Sequence, residues 1–113
     1  MKIWRTYQTE FEAAHHIKEH PTCGTTHGHS YRVKVSVLGD TATFVDFHRI
    51  KNATDSQLIQ WDHSDLGDKT CEALVLDLTM AVEIYLFNQI NTGKVKVAIN
   101  ETSKFGVETA GQD

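Results

Sequence analysis

Proline occurs once and cysteine twice among 113 residues, so neither a proline-rich extended segment nor a disulfide framework can organise this chain. Cys23 and Cys71 could form at most one bridge, and free thiols are expected. No stretch approaches the roughly 20 apolar residues of a membrane helix, and the amino-terminal MKIWRTYQTEF lacks the apolar centre of a secretory signal. A cytosolic protein that does not engage membranes is expected. Basic residues are scarce too, with eleven Lys and Arg against fifteen Asp and Glu and a formal net charge of -4. That sign is wrong for neutralising many phosphates, which argues against a nucleic-acid partner. The length leaves no room for a second core, so residues 1–113 are expected to form a single domain.

What is present is an ordinary globular composition, 40% hydrophobic and 23% charged, for which a packed core is expected. Histidine is the exception. The chain has seven, and His15, His16, His27 and His29 fall within one fifteen-residue stretch.

The segment from Ile3 to Ala14 mixes aromatic, β-branched and polar residues without glycine or proline, which suits an extended strand. A loop punctuated by Pro21 and Gly24 leads to HGHSYRVKVSVLG, where His27, His29, Tyr31, Val33, Val35 and Val37 alternate with polar residues. This is a second strand whose apolar face is extended by two histidines. Gly39-Asp40 can turn the chain into a short strand over Ala42–Val45, and Asp46 can cap a helix running to about Trp61, with Phe47, Ile50, Ala53, Leu58 and Trp61 near one stripe. After the polar loop DHSDLGDK, Thr70 can cap a longer helix carrying Leu74, Leu78, Ala81, Val82, Tyr85 and Gln89, stopped by Asn91-Thr92-Gly93. KVKVAINET then alternates as a further strand, with Val95, Val97, Ile99 and Glu101 on one face. The element order predicts an α+β layer structure in which one sheet packs against two helices.

His27 and His29, two apart on a strand, project from the same face and can share one metal ion. Phe11, Ala13 and His15 share one face of the first strand, and a hairpin would bring His15 beside the His-Gly-His pair. Three neutral imidazoles leave a fourth position on zinc for water or substrate, the arrangement of a catalytic site. The bland reading of such a pair is two satisfied or exposed histidines; against it stand the apolar face and the matching parity of His15. Cys23, four residues before His27, could be a nucleophile, a base, a ligand or an idle thiol. Asp62-His63 offers a carboxylate that can fix a histidine tautomer. Glu101 falls on an apolar face, where its carboxylate needs donors from the chain or from a ligand with a guanidine-like edge.

Together Phe11-Glu12-Ala13-Ala14-His15, Cys23-x3-His27-Gly28-His29, Val45-Asp46-Phe47, Asp62-His63-x2-Leu66, Thr70-x-Glu72 and Asn100-Glu101-Thr102 resemble the 6-pyruvoyl-tetrahydropterin synthase superfamily. The three-residue gap between Cys23 and His27 is similar to that of its 6-carboxytetrahydropterin synthases. The resemblance implies the tunnelling fold, a four-stranded antiparallel sheet with two helices on one face, assembled as a homohexamer from two trimers with pterin sites at subunit interfaces. It also implies a lyase that converts 7,8-dihydroneopterin triphosphate to 6-carboxy-5,6,7,8-tetrahydropterin, releasing acetaldehyde and triphosphate. A pyruvoyl-type triphosphate eliminase and a non-catalytic zinc- or pterin-binding protein are the alternatives. On this resemblance His15, His27 and His29 hold Zn2+, Cys23 and His63 with Asp62 exchange protons, and Glu101 anchors the amino-pyrimidine edge. Thr70, Glu72 and Thr102 line or support the pocket, and His16 has no metal role. The triphosphate-binding cations stay open among Lys18, His20, Lys104 and residues of a neighbouring subunit. Shorter loops between His15 and Cys23 and around Gly39-Asp40, Lys69 where proline is common and Gly67 where asparagine is common depart from the pattern.

Overall fold

The structure is a computed structural model that describes residues 1–15, 27–42, 46–89 and 94–110, the side chains of His27 and of residues 87–89 excepted. The elements in chain order are β1 (Lys2–His15), β2 (His27–Asp40), α1 (Phe47–Trp61), β3 (Ser64–Asp65), α2 (Cys71–Gln89), β4 (Lys94–Asn100) and β5 (Gly106–Glu108). The strands form one sheet in the order β3-β1-β2-β4-β5. All neighbours are antiparallel except β1 and β3, which run parallel. The expected layer fold is present, with five strands rather than four. The two unexpected strands are short: β3 has two residues and β5 three, too few for alternation to reveal.

The long hairpin follows from pattern. Alternation in β1 and β2 turns Phe11, Ala13, Tyr31, Val33, Val35 and Val37 inward, where they join Val95, Val97 and Ile99 of β4 in one buried cluster with the helices. A register slip of one residue would move every one of these side chains to the other face, so the burial fixes the pairing. Each large buried side chain contributes roughly 1.5 to 3 kcal/mol. Asp46 caps α1 as expected, its Oδ1 accepting the His48 N–H at 2.9 Å. The buried face of α1 is Ile50, Ala53, Thr54, Leu58 and Trp61. Phe47 is not part of it, being 62% exposed; Thr54 takes an interior place because its hydroxyl donates to the Ile50 carbonyl at 2.9 Å. Tyr7 ties the helix to β1 by donating to Asp55 Oδ1 at 2.9 Å.

Thr70 caps α2, its hydroxyl accepting the Ala73 N–H at 3.2 Å. Leu74, Leu78 and Val82 are buried as the spacing predicts, joined by Val75 and Leu86, whereas Ala81 and Tyr85 are half-buried. The helix is not a simple amphipath, because Leu76, Met80 and Ile84 form a second apolar line exposed on its far side. Ala42 lies in a turn, and the rest of the strand expected over 42–45 falls outside the described residues, as do Asn91-Thr92-Gly93. Two glycines have backbone reasons. Gly67 has φ +68° and donates its N–H to Asp65 Oδ1 at 2.8 Å; glycine and asparagine both tolerate that conformation, which accounts for their exchange here. At Gly106 a Cβ would lie 2.4 Å from Asn100 Oδ1 and 3.0 Å from its Cα, so the close approach of β5 to β4 requires glycine.

Candidate metal and pterin site

The β1–β2 register pairs Ala13 with His29 and His15 with His27. The hairpin expected from the histidine parity therefore forms. On the other side of β2, Arg32 pairs with Asn100, so Glu101 emerges from β4 one residue beyond the last ladder pair, level with Tyr31. Three neighbouring strands thus deliver His15, His29 and Glu101 to one point, where their ligating atoms all lie within 4.8 Å of one another.

The local geometry orients this group. His15 is fully buried, and its Nδ1 lies 2.7 Å from the Lys69 carbonyl oxygen. A carbonyl only accepts, so Nδ1 carries a hydrogen and Nε2 is turned toward the cluster. His15 Nε2 is 2.9 Å and His29 Nε2 3.4 Å from the same oxygen, Oε1 of Glu101. The His15 and His29 rings meet edge-on at 4.9 Å, and both meet the Tyr31 ring edge-on, at 5.9 and 5.5 Å. Tyr31 in turn stacks on Phe11 at 4.8 Å, and Phe11 meets Trp61 of α1. The aromatic stack forms the apolar floor of the site. Burial, then the negative charge of Glu101, push the Tyr31 phenol up, so it stays protonated; its fully buried hydroxyl has no hydrogen-bond partner among the described residues.

Cys71, at the start of α2, donates its thiol to the Ile99 carbonyl at 3.2 Å. Its pKa is pushed up to about 11 by burial, with Glu101 and Glu72 adding to the effect. It is a neutral core thiol. Sequence reasoning passed over Tyr31, Cys71 and the Lys69 carbonyl. The parity of Tyr31 next to two candidate ligands was the one available signal; a backbone acceptor has none.

Asp62 and His63 occupy a different place. Asp62 Oδ1 accepts the Glu12 N–H at 2.9 Å, Oδ2 lies 3.0 Å from His63 Nδ1, and the His63 N–H donates to the Glu12 carbonyl. The Glu12 amide, ahead of His63, lowers the Asp62 pKa and keeps it an anion. His63 has φ 58°, unusual for a residue with a Cβ, and its side chain is 77% exposed. Glu72 is exposed in the first turn of α2, and Thr70 acts there as a cap. The Thr102 hydroxyl accepts the N–H groups of Lys104 and Phe105, both at 3.1 Å, so it shapes the turn that carries Glu101. Cys23 and the His27 side chain lie outside the described residues.

A sheet backed by two helices, with a histidine–carboxylate cluster at the end of its central hairpin, defines the class, and comparison with known proteins gives the family. The sequence model described as 6-pyruvoyl tetrahydropterin synthase matches residues 3–110. The chain belongs to that family. A protein of Archaeoglobus fulgidus named as a candidate 6-carboxy-5,6,7,8-tetrahydropterin synthase is 29% identical over 101 residues, 82% of this chain and 84% of the relative. The 6-carboxy-5,6,7,8-tetrahydropterin synthase of Aquifex aeolicus is 34% identical over 73 residues, 59% of this chain and 45% of the relative, so the match takes in less than half of that protein. The solved 6-pyruvoyl tetrahydropterin synthase of Caenorhabditis elegans superposes with a TM-score of 0.82 at 22% identity, over 99% of this chain and 97% of that one. It establishes the shared fold.

Proposed function

We propose that this chain is a zinc-dependent lyase that converts 7,8-dihydroneopterin triphosphate to 6-carboxy-5,6,7,8-tetrahydropterin with release of acetaldehyde and triphosphate. The observation that carries the reading is the convergence of His15, His29 and Glu101 within 4.8 Å beside a buried aromatic floor. The names of the archaeal and bacterial relatives favour the carboxy product. The donors fit zinc, since neutral imidazole nitrogens and a carboxylate oxygen are among its usual ligands and His15 is held with Nε2 toward the cluster by the Lys69 carbonyl. His15 and His29 would hold the ion, with His27, the cross-strand partner of His15, as the third histidine. Bound zinc would supply Lewis acidity toward hydroxyl oxygens of the substrate side chain.

The chain's own residues do the rest. Glu101 accepts the parallel N–H groups of the amino-pyrimidine edge, which fixes the ring and sets its side chain over the histidines. Tyr31 and Phe11 exclude water from beneath it. Cys23 and His63 move the protons of the side chain, with Asp62 holding the His63 Nδ1–H. Thr70, Glu72 and Thr102 support the walls. His63 is far more exposed than the histidine cluster, which accords with a site completed between subunits of a hexamer. The second apolar line of α2 suits burial in such an assembly. A single domain over residues 1–113, working in the cytoplasm, completes the reading; no helix among the described residues is long and apolar enough to cross a membrane.

Mass spectrometry of the products formed by zinc-loaded protein from 7,8-dihydroneopterin triphosphate, with acetaldehyde assayed in the same tube, tests the proposal. Carboxytetrahydropterin with acetaldehyde is the expected result. Pyruvoyltetrahydropterin without acetaldehyde would replace the lyase by a triphosphate eliminase, and unchanged substrate beside bound zinc would leave a binding protein.

A further inference from the structure

We infer that Glu101 is an exchangeable metal ligand: without pterin its carboxylate completes the donor set with His15 and His29, and the amino-pyrimidine edge draws it away, so that pterin binding itself opens a position on the metal. The inference rests on the zinc and pterin reading above and adds to it a coupling between the two.

The first argument concerns the proton. His15 Nδ1 faces the Lys69 carbonyl oxygen at 2.7 Å, so in the neutral ring Nε2 presents a lone pair. That lone pair looks at Glu101 Oε1 across 2.9 Å. A cation between the two, a proton or a metal ion, is what reconciles them at this distance. The second argument concerns spacing. Two donors each about 2.1 Å from one zinc ion, at angles of roughly 90 to 110°, lie about 3.0 to 3.4 Å apart. The separations from Oε1 to His15 Nε2 and His29 Nε2 are 2.9 and 3.4 Å, close to that range.

The exchange follows from the oxygen that is shared. A pair of parallel N–H groups engages both carboxylate oxygens, and an oxygen whose charge is drawn toward a cation is a weaker acceptor, so the two partners compete for one side chain. The backbone need not move. Glu101 N–H donates to the Phe105 carbonyl at 2.9 Å, and the Thr102 hydroxyl holds the same turn, which leaves side-chain rotation as the motion. The Glu101 side chain is 25% exposed, so a ligand can reach it. Competition of this kind is reciprocal: a pterin that removes a ligand weakens zinc, and zinc weakens the pterin, by the same factor.

The test is the zinc affinity of the full chain, measured by competition with a chromophoric chelator, with and without unsubstituted pterin, which has the edge but no side-chain hydroxyls. Saturating pterin is expected to lower the zinc affinity of the unaltered protein several-fold, and Glu101→Gln to lower it about 10-fold or more without pterin, in keeping with the usual cost of losing a metal-site partner. A Glu101→Gln affinity within about two-fold of the parent, or a zinc affinity that pterin leaves unchanged or raises, overturns the inference while the histidine site stands. An affinity that His29→Ala does not alter overturns the histidine site and the inference together. Should Glu101→Gln fail to fold, the response of the unaltered protein to pterin decides alone.

Discussion

The two places where candidate chemistry gathers are built in opposite ways. His15, His29 and Glu101 come from three adjacent strands, are set by the longest ladders in the sheet, and have side chains no more than 25% exposed. Asp62 and His63 lead into a two-residue strand, are tied to the backbone of Glu12 and, through the Asp62 N–H, of Leu58, and have side chains 42% and 77% exposed. Long-range register gives the first group a fixed spacing suited to an ion. The second is a local device whose imidazole is exposed, suited to meeting something that arrives from solution.

The contrast breaks most sharply at His29. His29→Ala is expected to weaken zinc by about 100-fold or more, because a direct donor should cost more than the roughly 10- to 100-fold of an outer partner; chelator competition measures it. His63→Ala should leave zinc affinity within about two-fold yet lower turnover by roughly 100-fold, the usual scale for a lost acid–base group. If His63→Ala releases zinc, the two regions are one site and the comparison collapses.

Smaller effects sharpen the picture of the floor beneath the histidines. Cys71 has a folded-state pKa of about 11 against roughly 8.5 for a free thiol. The folded protein therefore holds this proton where the unfolded chain releases it. Stability is fully present below the free-thiol value and falls as pH rises toward 11, and Cys71→Ala should flatten that part of the curve in thermal melts from pH 8 to about 11. Tyr31→Phe removes a buried hydroxyl that lacks a partner among the described residues and should raise stability by up to about 1 kcal/mol. A fall of more than about 1 kcal/mol in denaturant unfolding would show that the hydroxyl is satisfied.

How much of this was legible in the sequence depended on the length of each pattern. Seven or more alternating residues announced β1, β2 and β4, and Asp46 and Thr70 marked where the helices start. β3 and β5 were silent because two or three residues have no period, and Thr54 is buried where Phe47 is exposed, its hydroxyl satisfied by a hydrogen bond that a hydrophobicity pattern does not encode. Within the site, parity brought His15, His29 and Glu101 to one face before any coordinates. The meeting of both histidine nitrogens at a single Glu101 oxygen needed two strand registers at once, and the sequence specifies each only through the core it buries.

One contact has a consequence for how such a site is inherited. The group that orients His15 is the carbonyl of Lys69, and the lysine side chain is engaged elsewhere, 2.6 Å from Asp77 on α2. An acceptor made of main chain survives any side-chain replacement that keeps the bend. Position 69 can therefore drift between proline and lysine while its service to the histidine stays constant, and a mutational scan that reads only side chains would score as neutral one of the atoms that aims the metal-facing nitrogen.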